Sequence, residues 1–355
     1  MKPIDKLRKY LPDQHTAALI TREVNIRYFT LFPDSEGALL ITCDECFLLV
    51  DFRYYEKAQS VVGDEITLVK ANKFYDTINS ILENKNIKYL LIEEDTVTLE
   101  RYETFKKNLH ASFLSKIKLS KIICDIRMIK TKREIALITQ AQRIAEKAYL
   151  EVLNFVKPGV EERRIAIELE YLMKRYGAEK ISFDLITISG KKTSMPHGSP
   201  DDNVVCEGDF FTFDIGAVYE GYHSDMTRTV AIRSATDKMR EIYDIVLTAH
   251  HKAAEKIIAG NTSADVDNAA RDYITEKGYG EYFGHSTGHG VGLDIHEAPV
   301  VYKKYDTVLK PNMVITDEPG IYLPGEFGVR IEDMYVVTDT GSYSLAQIDK
   351  DLVII

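Results

Sequence analysis

The sequence predicts two domains: an α/β domain over residues 1–125, then an α+β domain over residues 126–355 in which helices cover an antiparallel sheet. In the first region, apolar runs typical of strands alternate with helical stretches, a pattern typical of layered α/β folds. The second region repeats the order helix, helix, hairpin, and each hairpin carries a pair of acidic residues. We therefore expect a pseudo-two-fold second domain with its site where the halves meet.

Bulk properties limit the classes of protein to consider. A chain of 355 residues, 45% hydrophobic and 28% charged, is long enough for two globular domains. The net charge of -10 argues against a nucleic-acid or anionic-membrane partner. No apolar run approaches the ~20 residues of a membrane span, and the basic first residues lack the apolar core of a secretory signal. We expect a cytoplasmic protein.

In the first region, apolar alternation predicts strands at 17–21, 38–42, 47–51, 67–69 and 89–93, and helices at 54–61, 74–84 and 99–109. Cys43 and Cys46 form a CxxC pattern between two of these strands. A turn is favoured there over a zinc or redox site, because Cys124 and Cys206 are too far along the chain to form a second close pair.

The second region begins with a helix over residues 132–155. Thr131 and Glu134 have the spacing of a capping box, and Pro158 and Gly159 stop the helix. A further helix ends near Gly177, and the order then recurs with helix ends near residues 260 and 278. The equal spacing of the two glycine pairs suggests an internal duplication.

Two pairs of acids are mirrored around predicted turns. Asp214 and Asp225 flank a turn over residues 218–221, and Glu318 and Glu332 flank one over residues 323–326. Each pair is expected directly cross-strand, with Cβ atoms about 4.5–5.5 Å apart. Like charges in such positions destabilise a sheet, and buried carboxylates need cations. The simplest cation is a metal pair, and the simplest use of a metal pair is hydrolysis.

His289 lies between the acid pairs, with Gly288 and Gly290 on either side. Glycines allow a ligand to approach an imidazole closely, although a histidine beside glycines is by itself more often structural. One histidine with four carboxylates gives an oxygen-rich site. Such a site suits divalent ions, with Mn²⁺ favoured and Co²⁺, Fe²⁺ or Zn²⁺ as alternatives.

Four segments together resemble one family. DIGAVYEGYHSDMTRT, HSTGHGVGLDIHEAP, TDEPGIYLPG and GVRIED are similar to motifs of the pita-bread metallopeptidases, within the Xaa-Pro peptidase branch of aminopeptidase P and prolidase. The resemblance covers the full length, because residues 1–125 look like the creatinase/prolidase N-terminal domain. It implies an α+β pita-bread catalytic domain and a hydrolytic enzyme.

The resemblance implies two divalent metal ions and a set of protein ligands for each. Asp214 would chelate one ion, Asp225 and Glu332 would bridge both, and His289 and Glu318 would complete the second. The ions would activate a water for attack on the scissile carbonyl. Glu318 would also move a proton to the leaving nitrogen.

Other positions match the family's substrate-contacting residues. His197 and His296 would contact substrate and stabilise the tetrahedral intermediate, and His285 would line the proline pocket. Arg330 would support a ligand carboxylate. Tyr322 is a weaker candidate for the same pocket, with a packing role equally compatible.

The remaining histidines of the second region receive a structural interpretation. His250 and His251 lie in a predicted helix and are expected at the surface or in packing contacts. His223 lies two residues before Asp225 and could face the site, although a structural role is favoured.

We expect a metal-dependent exopeptidase that hydrolyses the Xaa-Pro bond at peptide N-termini in the manner of aminopeptidase P, acting as a homodimer. An Xaa-Pro dipeptidase (prolidase) is the alternative. Val300 stands where some archaeal prolidases carry an arginine, which favours longer peptides. A non-catalytic peptide-binding protein of the same fold is a distant alternative, and the complete set of five ligand positions argues against it. Leu31 stands where relatives often have glycine.

Overall fold

The computed structural model describes residues 1–33 and 36–355. They form two compact units, Met1–Arg127 and Met128–Ile355. Both units contain helices and strands, in agreement with the predicted fold class. The domain boundary between residues 125 and 126 stays a prediction. Within the described ranges, no helix has the length and apolar character needed to cross a membrane.

The first unit is an α/β sheet domain. Its strands are β1 (Thr16–Ile20), β2 (Gly37–Ile41), β3 (Cys46–Val50), β4 (Thr67–Lys70), β5 (Tyr89–Ile92) and β6 (Ser112–Phe113). Its helices are α1 (Pro3–Arg8), α2 (Glu23–Thr30), α3 (Phe52–Val61), α4 (Phe74–Asn84), α5 (Leu99–Asn108) and α6 (Leu119–Met128). The strand order is β4-β3-β2-β1-β5-β6, with β1 antiparallel to β2 and parallel to β5. The central strands are buried on both faces, as the continuous apolar runs predict.

The CxxC segment is a hairpin turn. Ile41 pairs with Cys46, and the Thr42 amide donates to the Glu45 carbonyl over 2.9 Å. The Thr42 hydroxyl accepts from the Glu45 amide over 2.9 Å. Cys43 and Cys46 are free thiols, so the structure supports the predicted turn.

Leu31 ends α2 in the left-handed conformation, with φ of 61°, and its side chain is exposed. This region favours glycine, which lacks the Cβ that crowds other residues there. Leucine in place of the glycine that is common in relatives therefore strains this helix end. The position lies in the first unit, remote in sequence from the predicted site.

The second unit has paired helices ahead of each hairpin. Its helices are α7 (Lys132–Val152), α8 (Glu162–Arg175), α9 (Asp237–Ala254) and α10 (Ser263–Glu276). The strands of the first half are β7 (Lys180–Ile181), β8 (Ile186–Ser189), β9 (Phe210–Ile215), β10 (Ala217–Tyr219), β11 (Tyr222–His223) and β12 (Met226–Ala231). Those of the second half are β13 (Gly288–Gly290), β14 (Glu297–Val301), β15 (Val314–Asp317), β16 (Gly320–Leu323), β17 (Phe327–Arg330), β18 (Asp333–Val337) and β19 (Ser342–Ser344). Short 3-10 helices span Gly190–Ser194 and Gly280–Tyr282.

The glycine pairs adopt matching backbone conformations. Gly159 and Gly260 have φ of 94° and 97°, and Gly177 and Gly278 have φ of 103° and 88°. The Gly159 amide donates to the carbonyl of residue 205, and the Gly260 amide donates to that of residue 309, each over 3.0 Å. The internal repeat is supported by the equal spacing of the two glycine pairs, by the positive φ of all four glycines and by the equivalent amide hydrogen bonds.

The first hairpin differs from its predicted register. Tyr219 pairs with Tyr222 around a two-residue turn, and Asp214 pairs with Thr227 rather than with Asp225. Glu220 and Gly221 both have positive φ, the geometry of a type I′ turn that moves the hairpin centre by one residue. The directly cross-strand placement of Asp214 and Asp225 is therefore wrong. Because Asp225 lies two residues from Thr227, it falls on the same face as Asp214 but diagonally across.

The second hairpin has the predicted centre at Gly325. Gly320 pairs with Arg330 in one ladder and Asp317 with Asp333 in the next, so the two ladders share one register. Between these two ladders, residues 318–319 and 331–332 do not pair with each other. The Glu318 amide donates to the Thr287 carbonyl over 2.8 Å, whereas the Glu332 amide donates to the Thr227 carbonyl over 3.1 Å. The opening places Glu318 and Glu332 where the halves of this unit meet.

Alternation along β9 separates the core from the polar face. Phe211, Phe213 and Ile215 are fully buried in a cluster with α7 and α8, and Tyr149 packs edge-on against Phe213 at 5.3 Å between ring centroids. Thr212, on the opposite face, is 3% exposed. The face of β9 that carries Thr212 is therefore enclosed by protein rather than facing water.

Candidate active site

Five side chains predicted as metal ligands converge between the two halves of the second unit. His289 Nε2 lies 3.5 Å from Asp225 Oδ2 and 3.7 Å from Glu318 Oε1. Ligand atoms of Asp225, His289 and Glu332 all lie within 4.8 Å of one another. Asp225 and Glu332 are 4% and 2% exposed, which makes this a buried cluster.

Asp214 approaches the cluster from β9. Its Oδ2 accepts a 2.7 Å hydrogen bond from Arg330 Nη2, while its buried Oδ1 has no hydrogen-bond partner. A buried carboxylate oxygen without a partner is costly unless a cation or a water satisfies it. The atom is thus available as a ligand to a metal ion.

The hydrogen bonds of His289 define its tautomer. Nδ1 lies 3.0 Å from the Gly290 carbonyl, which can only accept, so Nδ1 carries the proton. In the neutral ring, Nε2 then directs a lone pair at the carboxylates of Asp225 and Glu318. That arrangement is repulsive unless a proton or a metal cation lies between them. A backbone carbonyl on the distal nitrogen is the usual support of a metal-binding histidine.

The pKa shifts of these side chains also indicate that acidic groups outnumber basic groups in the cluster. Burial raises the pKa of Asp225 to about 6, and the charge of Asp214 adds to the rise. Burial raises the pKa of Glu318 to about 7, and that of Glu332 well above the usual range. Burial lowers the pKa of His289, but the hydrogen bond to Asp225 and the charge of Glu318 outweigh it and raise the pKa to about 9. The same excess of carboxylates that raises these pKa values would also favour a bound metal cation.

Hydroxyl groups orient the carboxylates. Thr227 Oγ1 donates to Glu332 Oε2 over 2.7 Å and accepts from Arg330 Nε over 3.1 Å. The Thr316 hydroxyl lies 3.5 Å from Glu318 Oε1 and accepts from the His289 amide over 3.1 Å. Sequence reasoning assigned no role to these threonines.

A directed hydrogen-bond chain joins the predicted substrate residues. Arg330 Nη1 donates to the Tyr322 hydroxyl over 2.7 Å, and His285 Nε2 lies 2.9 Å from that hydroxyl. His285 Nδ1 donates to the Ser286 carbonyl, so Nε2 accepts from Tyr322. Burial, with the charge of Arg330, lowers the pKa of His285 to about 4 and keeps the ring neutral. Arg330 thus links the metal cluster to this pocket.

His197 and His296 lie at the rim and are exposed. The rings of His289 and His296 are 4.4 Å apart between centroids, at 69° to each other. His197 follows Pro196, whose carbonyl lies 3.4 Å from Arg330 Nη1. The structure therefore places His296 against His289 and the backbone next to His197 near Arg330.

An ion pair on α10 holds the loop that carries His285 and Thr287, and sequence reasoning did not identify it. Asp267 is fully buried and accepts from Arg271 Nε over 2.7 Å and from Thr287 Oγ1 over 2.8 Å. Arg271 Nη2 donates to the His285 carbonyl over 2.7 Å. Only a fold brings residues 267 and 287 together, so spacing along the chain could not reveal the contact.

A second charged cluster lies behind the site. His250 is fully buried, its Nδ1 3.1 Å from the Asp317 carbonyl and its Nε2 3.0 Å from the Tyr335 hydroxyl. Of the two expectations for His250, packing is therefore correct and surface exposure is wrong. Arg228 Nη2 donates to Asp333 Oδ1 over 2.7 Å in the same cluster. The consecutive acids at 317–318 and 332–333 were the available signal, because alternation sends neighbours to opposite faces.

His223 lies outside the ligand cluster. It is 7% exposed on β11, and its amide donates to the Gly292 carbonyl over 2.8 Å. Burial and the charge of Lys180 lower its pKa to about 4. This placement agrees with the structural interpretation.

Comparison with known proteins identifies the family. Residues 136–339 match the model of metallopeptidase family M24, and residues 3–129 match the creatinase/prolidase N-terminal domain. The chain belongs to metallopeptidase family M24. It is therefore a hydrolase of the M24 metallopeptidases, as predicted, and its fold is the pita-bread domain preceded by the creatinase-type domain.

Similar proteins carry two kinds of name. A structure described as Xaa-Pro dipeptidase from Bacillus anthracis is 42% identical, with a TM-score of 0.94, and covers 99% of each chain. An Xaa-Pro dipeptidase of Pyrococcus furiosus is 41% identical over 98% of this chain and 99% of its own. The X-Pro aminopeptidase structure from Thermotoga maritima is 36% identical, with a TM-score of 0.92, and covers 99% of this chain and all of the other. Membership of the M24 family implies a divalent metal, in line with the buried carboxylate cluster.

Proposed function

We propose that this M24 peptidase is a dinuclear-metal Xaa-Pro dipeptidase. The observation that carries the proposal is the approach of His289 Nε2 to Asp225 and Glu318 at 3.5 and 3.7 Å, with its other nitrogen committed to a backbone carbonyl. The geometry needs a cation, and the donor set of one imidazole and four carboxylates suits Mn²⁺ or a similar divalent ion.

Each ligand has a proposed place. Asp214 would hold one ion, Asp225 and Glu332 would bridge both, and His289 and Glu318 would complete the second. The unpartnered Oδ1 of Asp214 and the diagonal placement of Asp225 on the same face fit this division. When bound, divalent ions supply Lewis-acid polarisation of the scissile carbonyl and lower the pKa of water.

The protein side chains would handle the proton and the substrate. The Glu318 side chain is 17% exposed, against 6% for Asp225, so Glu318 is placed to exchange a proton with the leaving nitrogen. His197 and His296, at the rim, would donate hydrogen bonds to the oxygen that gains charge in the transition state. Neutral His285 and the Tyr322 ring would form an apolar wall for proline.

A dedicated pocket is physically reasonable for this bond. The amide before proline carries no N–H, and the proline ring restricts φ, so a peptidase that relies on extended backbone hydrogen bonding is poorly matched to it. Tyr322 is 7% exposed and held on its hydroxyl by Arg330 and His285. The pocket wall is therefore rigid before substrate arrives.

The choice of dipeptides over longer peptides departs from our sequence prediction. Val300 favoured cleavage in the manner of aminopeptidase P, because an arginine for the dipeptide carboxylate is missing there. The names of the Bacillus anthracis and Pyrococcus furiosus relatives support the dipeptidase better. A dipeptidase would then have to hold the carboxylate through a residue other than Val300. The homodimer and the cytoplasmic location stay predictions.

Metal-stripped protein tests the proposal. We expect no hydrolysis of Xaa-Pro dipeptides after chelation, full recovery with Mn²⁺, and a higher kcat/KM for Xaa-Pro than for Xaa-Pro-Xaa substrates. A higher kcat/KM for the tripeptide would restore the aminopeptidase P interpretation. Equal hydrolysis with and without metal would contradict the metal proposal as a whole.

A further inference from the structure

Arg228 lies on the reverse side of the strands that carry the cluster, and all of its donor nitrogens are engaged. Nη1 donates to the carbonyls of Glu332, over 2.7 Å, and Thr227, over 2.9 Å. Nη2 donates to Asp333 Oδ1 over 2.7 Å and to the Ile348 carbonyl over 2.9 Å. Nε donates to the carbonyl of residue 349 over 3.2 Å. At 2% exposure, it is among the largest fully buried side chains of the described chain.

Arg228 and its neighbour Thr227 together hold Glu332 at three atoms. The Thr227 carbonyl accepts from the Glu332 amide, and the Thr227 hydroxyl donates to Glu332 Oε2. Arg228 binds the Glu332 carbonyl. Consecutive residues of β12 thus position the backbone and the carboxylate of the proposed bridging ligand across the junction of the halves.

The same guanidinium group connects Glu332 to segment 345–355. This segment lies against β12, where the Ala231 amide donates to the Val353 carbonyl and the Ile355 amide to the Ala231 carbonyl, each over 2.9 Å. Lys350 binds Asp333 through its ammonium group, and the Lys350 carbonyl accepts from the Tyr243 hydroxyl over 2.6 Å. Segment 345–355 therefore contacts both β12 and β18, the strands that directly follow the proposed bridging ligands Asp225 and Glu332.

We propose that Arg228 is a positioning residue that couples segment 345–355 to Glu332, so that both are required for full metal affinity. The proposal rests on the proposed metal-binding role of Glu332. Arg228 touches neither metal nor substrate. It acts by restricting the position of the Glu332 backbone, because an arginine with five engaged donors in a planar fork fixes several acceptors relative to one another.

Metal affinity of Arg228→Lys is the direct test. Lysine keeps the charge beside Asp333 but lacks the planar fork. Supporting partners of metal ligands typically change affinity by about 10–100-fold, and we expect a loss of Mn²⁺ affinity in that range by isothermal titration calorimetry. Hydrolysis at limiting Mn²⁺ should fall accordingly, and saturating Mn²⁺ should restore kcat. Unchanged Mn²⁺ affinity would overturn the proposal.

Arg127→Lys is the matched control. Arg127 is also a buried arginine, 6% exposed, and donates to Asn25 over 2.6 Å in the first unit. Its substitution should leave Mn²⁺ affinity unchanged. An equal loss in this variant would show that losing any buried arginine is sufficient and would overturn the specific role of Arg228.

A measurement on the unaltered protein covers the case in which Arg228→Lys does not fold. If segment 345–355 and the metal site are coupled, Mn²⁺ must slow amide hydrogen exchange in that segment. Peptides from α8, in the same unit but without contact to the ligands, should change less. Equal change in both peptides would overturn the coupling. Failure of the unaltered protein to bind Mn²⁺ would instead overturn the proposed metal site, and this proposal with it.

Discussion

The two faces of the second hairpin carry similar acids in different surroundings. On the reverse face, Asp317 and Asp333 are direct cross-strand partners and both are fully buried. Asp333 accepts from Arg228 and Lys350, so protein cations balance its charge. On the front face, within the described ranges, no lysine or arginine forms an ion pair with Glu318 or Glu332.

The pKa values of the consecutive acids Glu332 and Asp333, which lie on opposite faces, shift in opposite directions. Burial opposes ionisation of Asp333, but Arg228, His250 and Lys350 hold its pKa below the usual range. Burial and the charges of neighbouring acids raise the pKa of Glu332 well above its range. Of the four front-face carboxylates, Asp214 pairs with an arginine within the described residues, so much of the remaining charge must be balanced by protons or by a bound cation. This excess of acids distinguishes a metal site from a structural ion-pair network.

Glu332→Gln should have the largest effect. Losing a bridging ligand should reduce hydrolysis by more than the ~100-fold that a supporting partner can account for. The apoprotein should become more stable, because one buried carboxyl group among several is removed. Activity assays with added Mn²⁺ and denaturant unfolding of the apoprotein measure the two effects. Retained activity at ordinary Mn²⁺ concentration would contradict the proposal that the front-face acids bind metal whereas the reverse-face acids form a structural network.

Asp333→Asn should have the opposite effect on stability. Removing one member of a buried ion pair leaves Arg228 uncompensated, which typically costs about 3–5 kcal/mol. Urea unfolding of the metal-free variant should show that loss. A change below about 1 kcal/mol would mean that the reverse-face network contributes little, and the two faces would not differ as proposed.

The pH dependence of the apoprotein sharpens the contrast. In the folded state the pKa of His289 is raised to about 9, so its contribution is present below pH 6.5 and lost as pH rises to 9. The raised pKa values of Asp225 and Glu318, about 6 and 7, act in the same direction, because the folded state binds their protons more tightly. The free energy of unfolding should therefore fall by a few kcal/mol (order of magnitude) from pH 5 to pH 9.

Mn²⁺ should remove most of this pH dependence, since a bound cation replaces the protons. Unfolding curves at several pH values, with and without Mn²⁺, measure the difference. Parallel pH profiles in the two conditions would show that the front-face acids are not balanced by the metal.

Asp317→Asn should have the smallest effect on metal binding and hydrolysis. Both carboxyl oxygens of Asp317 are buried without a hydrogen-bond partner, and its pKa is raised well above the usual range by burial and by Asp333. An amide of the same shape needs no proton on folding, so the substitution should stabilise the protein modestly at neutral pH and leave Mn²⁺ affinity unaltered. A large loss would assign Asp317 a role that its contacts do not show.

Much of the fold follows from local patterns in the sequence. The apolar runs at 38–42 and 47–51 predicted β2 and β3, and Thr131 with Glu134 forms the predicted capping box. The matching glycines predicted the internal repeat. The register of the first hairpin was missed because a two-residue turn at Glu220 and Gly221 was not distinguished from one centred a residue earlier.

In the candidate site, too, local motifs could be recognised from the sequence, whereas tertiary contacts could not. The proposed ligands were found because their motifs are local, and the structure brings them together. Arg228 was not found because its partner Asp333 lies far along the chain. Asp267 and Arg271 are only four residues apart, but their role comes from the tertiary contacts with Thr287 and His285. His250 was misjudged in part because helical position alone does not show which face is buried.

The stoichiometry of Mn²⁺ binding shows whether the acid cluster is a dinuclear metal site. Titration calorimetry on the chelator-treated protein should give two Mn²⁺ ions per chain, and Glu332→Gln should lose binding while Asp317→Asn retains it. Absence of Mn²⁺ binding to the unaltered protein, or equal binding by Glu332→Gln, would contradict the account.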